Sequence, residues 1–161
     1  TIYSHFENKD ALYNAVIKAK CEEYQLEDSS ICIKKQSIED ILKLIGLSFV
    51  QLLNDKNVIA MYKILIGHTT SSSHEAKLFY DAGPLHSINM VEYLLMTHSS
   101  SRLSAEQARE VSLDFFNLLK TDFHMKSLLD LPYTMDSQKA EEQAQKVALK
   151  TVAIIEMLKS R

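Results

Sequence analysis

Apolar residues return every three or four positions along most of the chain, and polar breaks divide that pattern into about seven segments of helical period. Asn8 is placed to cap the first, whose stripe is Leu12, Ala15, Val16, Ala19 and Leu26, ending in the acidic, serine-containing stretch Glu27 to Ser30. Ser37 opens the second, capping toward Asp40 ahead of Ile38, Ile41, Leu42, Ile45, Phe49 and Leu52. Asn54-Asp55 ends that helix and caps a third carrying Val58, Met61, Tyr62, Leu65 and Ile66. After a polar loop from Thr69 to Ser73, Ser72-Ser73-His74-Glu75 reads as a capping box into a short helix through Tyr80. Gly83 is expected to stop it and Pro84 to start the next, which holds Leu85, Ile88, Val91, Tyr93, Leu94 and Leu95 and ends in Ser99-Ser100-Ser101. Ser104 to Gln107 is a second capping box, opening a long helix through Ala108, Val111, Phe115, Leu118 and Leu119 to Phe123 or beyond. Leu131-Pro132-Tyr133 connects it to a last helix from about Ser137 to Lys159, striped by Ala140, Ala144, Val147, Ala148, Val152, Ile155 and Leu158.

The pattern predicts an all-α bundle of about seven helices around one interior. Its last two helices are apolar on more than one side. Phe116 and Phe123 lie off the Val111–Phe115–Leu119 stripe, and Leu149, Ile154 and Met157 lie off the Val152–Ile155 stripe. A helix apolar over most of its circumference needs cover on both sides. A second copy of the chain is the expected cover, giving a homodimer through Val111, Phe115, Leu119, Ala148, Val152 and Ile155.

Composition narrows the class. Glycine and proline total five residues of 161, against roughly 19 at average usage, which disfavours strands joined by tight turns. A net charge of −3 excludes a protein that coats nucleic acid through bulk positive charge. Two cysteines, Cys21 and Cys32, form neither a disulfide framework nor a zinc spacing, so a reducing cytoplasm fits. No apolar run approaches the roughly 20 residues that cross a bilayer, so no membrane association is expected.

Most catalytic chemistry is missing from the sequence. Gly46, Gly67 and Gly83 are too far apart for a phosphate loop or dinucleotide fingerprint, and there is no nucleophile elbow, Cys-x-x-Cys pair or His-Glu-x-x-His helix. The histidines, His5, His68, His74, His86, His98 and His124, never pair at i, i+4 on one helix, so no metal, cofactor or enzymatic activity is expected. His68, His74 and His98 read as solvated loop residues near helix ends, whereas His86 and His124 are candidate polar points inside the bundle. Aromatic and methionine residues concentrate in the middle helices. Each is suited to core packing. Together, Phe49, Met61, Tyr62, Leu65, Phe79, Met90, Tyr93, Phe116, Phe123 and His124 can instead line an adaptable apolar pocket for a small molecule, with Tyr62, Tyr93 or His124 as its polar contact.

The opening segment is the most specific feature. In Thr1-Ile2-Tyr3-Ser4-His5-Phe6, Ile2 and Phe6 share one helical face, leaving Tyr3 and His5 outward. A new helix start follows at Asn8-Lys9. Tyrosine, histidine and lysine around a helix N-terminus make a workable phosphate clamp, or else an amphipathic helix end whose Tyr3 and His5 only face solvent.

The run Thr1, Ile2, Tyr3, His5, Phe6, Lys9 and Leu12 resembles the end of the recognition helix and the start of the next helix in TetR-family transcriptional regulators, meeting the pattern Thr-[Ile/Leu]-Tyr-x-His-Phe-x-x-Lys-x-x-Leu at every fixed position. Phe79-Tyr80-Asp81-Ala82-Gly83-Pro84 is similar to a Phe-Tyr-x-x-Gly-Pro segment of one ligand-domain branch. The resemblance implies that residues 1–8 are the remnant of a helix-turn-helix head and residues 9–161 a ligand-binding and dimerisation domain. It implies that Thr1, Tyr3, His5 and Lys9 touch the DNA backbone, and that the helix from Lys9 links head to bundle. Relative to the family, roughly the first forty residues are lacking, so operator binding is expected only of a chain that includes them. The expected function is a transcriptional repressor released from operator DNA by a small apolar or amphipathic molecule, acting as a homodimer. A ligand favouring one arrangement of the linking helix by 2–3 kcal/mol changes DNA affinity roughly 30–150-fold. The alternatives on residues alone are an all-helical interaction module with no ligand, or a small helical enzyme using histidines from separate helices.

Overall fold

The computed structural model describes residues 9–23, 36–67 and 73–160, with the side chains of 9, 10, 13, 14, 21–23 and 73 left out. Seven α-helices and one π-helical turn account for nearly all of them: α1 (Lys9–Glu23), α2 (Ile38–Asn54), α3 (Lys56–Gly67), α4 (Ser73–Tyr80), the π turn (Asp81–Leu85), α5 (His86–Thr97), α6 (Ala105–Leu128) and α7 (Ser137–Lys159). Among the described residues there is no strand, so the chain is all-α, as its periodicity predicts.

The helix starts follow from local chemistry. The Ser37 hydroxyl accepts the Asp40 amide at 3.1 Å, and Ser104 and Gln107 bond reciprocally at 3.2 and 3.1 Å in a full capping box. The Asp136 carboxylate accepts the Lys139 amide at 2.9 Å at the head of α7. Asp55 ends α2 and caps α3, its Oδ1 accepting from the amides of Asn57 at 2.7 Å and Val58 at 3.3 Å. The expected caps at Asn8 and Ser72 lie outside the described residues.

Around α2 the rest is assembled. Its buried face, Ile41, Leu42, Ile45, Phe49, Val50 and Leu53, meets α7 along most of its length and α6 beside it. Gly46 lies at the closest approach. A Cβ there would stand 3.2 Å from Leu119 Cδ2 and 3.5 Å from Ala144 Cβ, so the missing side chain lets three helices come together. Side-chain bonds fix the register: Gln145 donates to Glu39 at 2.8 Å, Gln143 to the Leu118 carbonyl at 2.9 Å, and Asn54 to the Met135 carbonyl at 2.9 Å while accepting from the Tyr133 hydroxyl at 2.9 Å. On the far side α1 rests on α4 and the π turn.

Several expectations change. Gly83 does not stop a helix. The backbone stays helical through Tyr80, Leu85 and His86, and the wider π turn absorbs the amide that Pro84 lacks, so α4 and α5 form one rod. From the start of α5 the Ser87 hydroxyl donates back to the Gly83 carbonyl of that turn at 3.2 Å. On α1 the face toward the bundle is set by Ile17, buried, with Lys20 beside it, whereas Val16 and Ala19 face outward. His98 is buried rather than solvated; its Nδ1 accepts the Ser100 amide and its Nε2 lies 3.2 Å from the Gln36 carbonyl, closing the turn between α5 and α6. His86 is exposed and offers no polar point inside the bundle. Ile66, expected on the inward stripe of α3, is also exposed.

The second cover expected around α6 comes from the chain itself. Phe116 is buried against Phe49, ring centroids 4.7 Å apart, and Phe123 is buried beside Tyr133 at 6.1 Å. Val111, Phe115, Leu119, Ala148 and Ile155 are likewise enclosed by the single chain, so they are core residues and present no surface to a second copy; Val152 is half-buried. The apolar residues that α6 and α7 do show to solvent include Leu113, Leu149 and Met157. Among the described residues no helix is long and apolar enough to cross a membrane.

Candidate functional site

Six elements of the fold surround one cavity. From α1 come Ile17 and Lys20; from α2, Phe49, Leu52 and Leu53; from α3, Val58, Met61 and Tyr62; from α4, Phe79; and from the π turn and the start of α5, Gly83, Pro84 and Ser87. The walls are almost wholly apolar, as the spacing of inward residues on α2 and α3 requires. The π turn contributes through shape: Gly83 carries no side chain, and a Cβ there would come within 3.6 Å of Ile17 Cγ2, so α1 lies close against it.

The cavity holds about 50 Å³ of free space, far less than the roughly 300–1,000 Å³ of pockets that bury drug-sized molecules. Anything larger than a few atoms must displace its walls. Those walls include adaptable members: Met61 is unbranched, and Phe79 meets the Tyr62 ring edge-on at 4.9 Å, a contact that slides at small cost.

Of the ten residues expected to line a pocket, Phe49, Met61, Tyr62 and Phe79 do so. Phe116 stands behind Phe49, and His124 behind Tyr62, with ring centroids 5.3 Å apart. Phe123 packs against His124 and Tyr133. Leu65 lies in a separate surface groove with Leu12, Val16, Asn57, Ala60, Met61 and Ile64. Met90 is half-buried against the core away from the cavity, and Tyr93, 60% exposed, points to solvent and cannot serve as an interior polar contact. Ile17, Lys20, Gly83, Pro84 and Ser87 were not expected in the lining. Only the Gly-Pro step signals anything local in the sequence, and it reads as a helix boundary.

His124 is a polar group in an apolar setting. Its Nδ1 is buried and makes no hydrogen bond among the described residues. Burial, and secondarily the charge of Lys120, push its pKa below the ordinary histidine value, so it stays neutral at physiological pH. Burial also lowers the pKa of Lys120.

Lys20 brings charge to the cavity wall. Its Nζ lies 3.0 Å from Asp55 Oδ2, with the two side chains 24% and 12% exposed, and this pair ties α1 to the start of α3. Among the described residues, no three histidine, cysteine, aspartate or glutamate side chains come together as a metal site. Thr1, Tyr3 and His5 lie outside the described residues, as do Cys32 and His68, and the side chains of Lys9 and Cys21 are not described.

Residues 40–154, which span α2 through most of α7, match the AefR-like transcriptional repressor C-terminal domain of the TetR class. No curated protein matches the chain.

Proposed function

Because the chain belongs to the TetR family of transcriptional regulators, we propose that it is a ligand-responsive repressor in which residues 9–161 are the ligand-binding and dimerisation domain and residues 1–8 the end of a DNA-binding head. The observation that carries this reading is that α1, the helix following that head, supplies Ile17 and Lys20 to the cavity wall. A small apolar or amphipathic molecule entering a space of about 50 Å³ has to push on its walls, and α1 is the one that leads to the head. Displacement of α1 in both copies of a homodimer moves two heads relative to the 34–36 Å spacing of successive major grooves, which lowers operator affinity. Thr1, Tyr3, His5 and Lys9 are proposed as backbone phosphate contacts. The dimer is proposed to form through the outer face of α6 and α7, using Leu113, Leu149, Val152 and Met157 in place of the enclosed stripe. Such a regulator works in the cytoplasm.

The test is saturable binding of Nile red to the chain. One site per chain is expected, with loss of binding when Met61→Trp fills the cavity. Binding that is non-saturable, or indifferent to Met61→Trp, overturns the pocket. In the protein carrying its helix-turn-helix head, Tyr3→Ala and Lys9→Ala are each expected to weaken operator DNA at least tenfold; unchanged affinity in both removes the backbone clamp.

A further inference from the structure

Lys20 is the charged residue of a lining otherwise made of apolar side chains, Tyr62, Ser87 and the Gly-Pro step. Its partner Asp55 is not in the lining. The Asp55 carboxylate is pinned from behind, because its Oδ1 already accepts two amides of the first turn of α3. The lysine, on a four-carbon stem, is the movable member of the pair. Val58, which donates one of those amides, is itself a wall residue, so the positive end of α3 also lies beside the cavity. A guest therefore meets one ammonium group, the tyrosine and the serine of the lining, and hydrocarbon elsewhere.

Building on the ligand-responsive reading, we infer that the ligand is an anionic amphiphile, an apolar body bearing one carboxylate or similar oxyanion, that Lys20 is its anchor, and that taking Lys20 from Asp55 unfastens α1 from α3. The exchange suits the chemistry. The ammonium trades one carboxylate for another and is never left without a counter-charge, while Asp55 keeps its two backbone donors. A cation is repelled by Lys20, and a neutral alcohol gives the ammonium no reason to leave Asp55. The apolar body then occupies space against Ile17, on the same helix one turn away.

The experiment compares octanoate, octan-1-ol and octylammonium by calorimetric titration of the chain and two variants. Octanoate is expected to bind at least tenfold more tightly than octan-1-ol, and octylammonium more weakly than either. Lys20→Met is expected to cost octanoate at least tenfold while leaving octan-1-ol within about threefold. Asp55→Asn, which keeps the helix cap but removes the carboxylate that competes for Lys20, is expected to strengthen octanoate severalfold. A pair with a merely structural role moves octanoate and octanol together in both variants. Equal affinity for octanoate and octan-1-ol in the unaltered chain, or weaker octanoate binding in Asp55→Asn, overturns the inference and leaves the pocket standing. Saturable binding of none of the three overturns the pocket and the inference with it.

Discussion

The Tyr62 ring meets the His124 ring edge-on, with centroids 5.3 Å apart and planes at 80°. Tyr62 is a wall of the cavity and His124, its Nδ1 buried, lies behind it in the last turns of α6, where Lys120 adds positive charge. Protonating this imidazole places a charge where burial and Lys120 both oppose it.

A pH dependence follows. The folded-state pKa of His124 is lowered, so the unfolded chain takes up this proton first. Stability is unaffected above the ordinary histidine pKa of about 6.5 and falls as pH drops below it, until the lowered folded pKa is passed. Urea midpoints at pH 7.5 and 5.5 measure this decline, and His124→Gln is expected to reduce it. An identical decline in the variant would remove His124 from this role.

Thr121 interrupts α6 with φ 41° and ψ −164°, a conformation that β-branched residues rarely adopt and glycine tolerates. Glycine inside a helix ordinarily costs about 1 kcal/mol relative to alanine. Here the sign is expected to reverse: Thr121→Gly should raise stability by about 1 kcal/mol through relief of strain. Thermal melting checks it, and a lowered midpoint contradicts the strain.

Gly46 has the opposite sensitivity. Leu119 Cδ2 and Ala144 leave no room for more than a methyl group, and both neighbours are fully enclosed. Gly46→Leu is expected to cost about 3 kcal/mol, beyond anything gained in helix propensity. Denaturant unfolding gives the number. A loss under 1 kcal/mol would mean that α2, α6 and α7 can separate cheaply.

The proposed dimer face is open to a direct trial. Leu149 and Met157 are both about half exposed on α7, and replacing both by glutamate introduces like charges into a self-complementary contact. Sedimentation should shift from dimer to monomer with helix content unchanged. A variant that sediments as the unaltered chain does would exclude this face.

Three helix starts were readable because each cap is local chemistry: Ser37, Asp55 and Ser104 act on amides two or three residues on. Four pocket residues were legible for a similar reason, since Phe49, Met61, Tyr62 and Phe79 fall on inward stripes of α2 to α4. Other parts depend on which helix lies against which, and one chain's periodicity does not encode that. Ile17 and Lys20 reach the cavity through the seating of α1 on the π turn, while Tyr93 shares a helix with buried Leu94 and still faces water. Likewise, the breadth of apolar surface on α6 was readable, but not that Phe49 and Tyr133 of the same chain would cover it.

A chamber so small has a bearing on pharmacology. On the proposed reading, part of a guest's contact energy goes into prising the walls apart, and that same work is what moves α1. Phe79→Ala, which hollows the chamber in advance, is therefore expected to hold octanoate more tightly while responding to it less, seen as stronger calorimetric binding with a smaller rise in hydrogen exchange along α1. Grip and signal then pull in opposite directions, so the most potent effectors need not be the tightest-held ones.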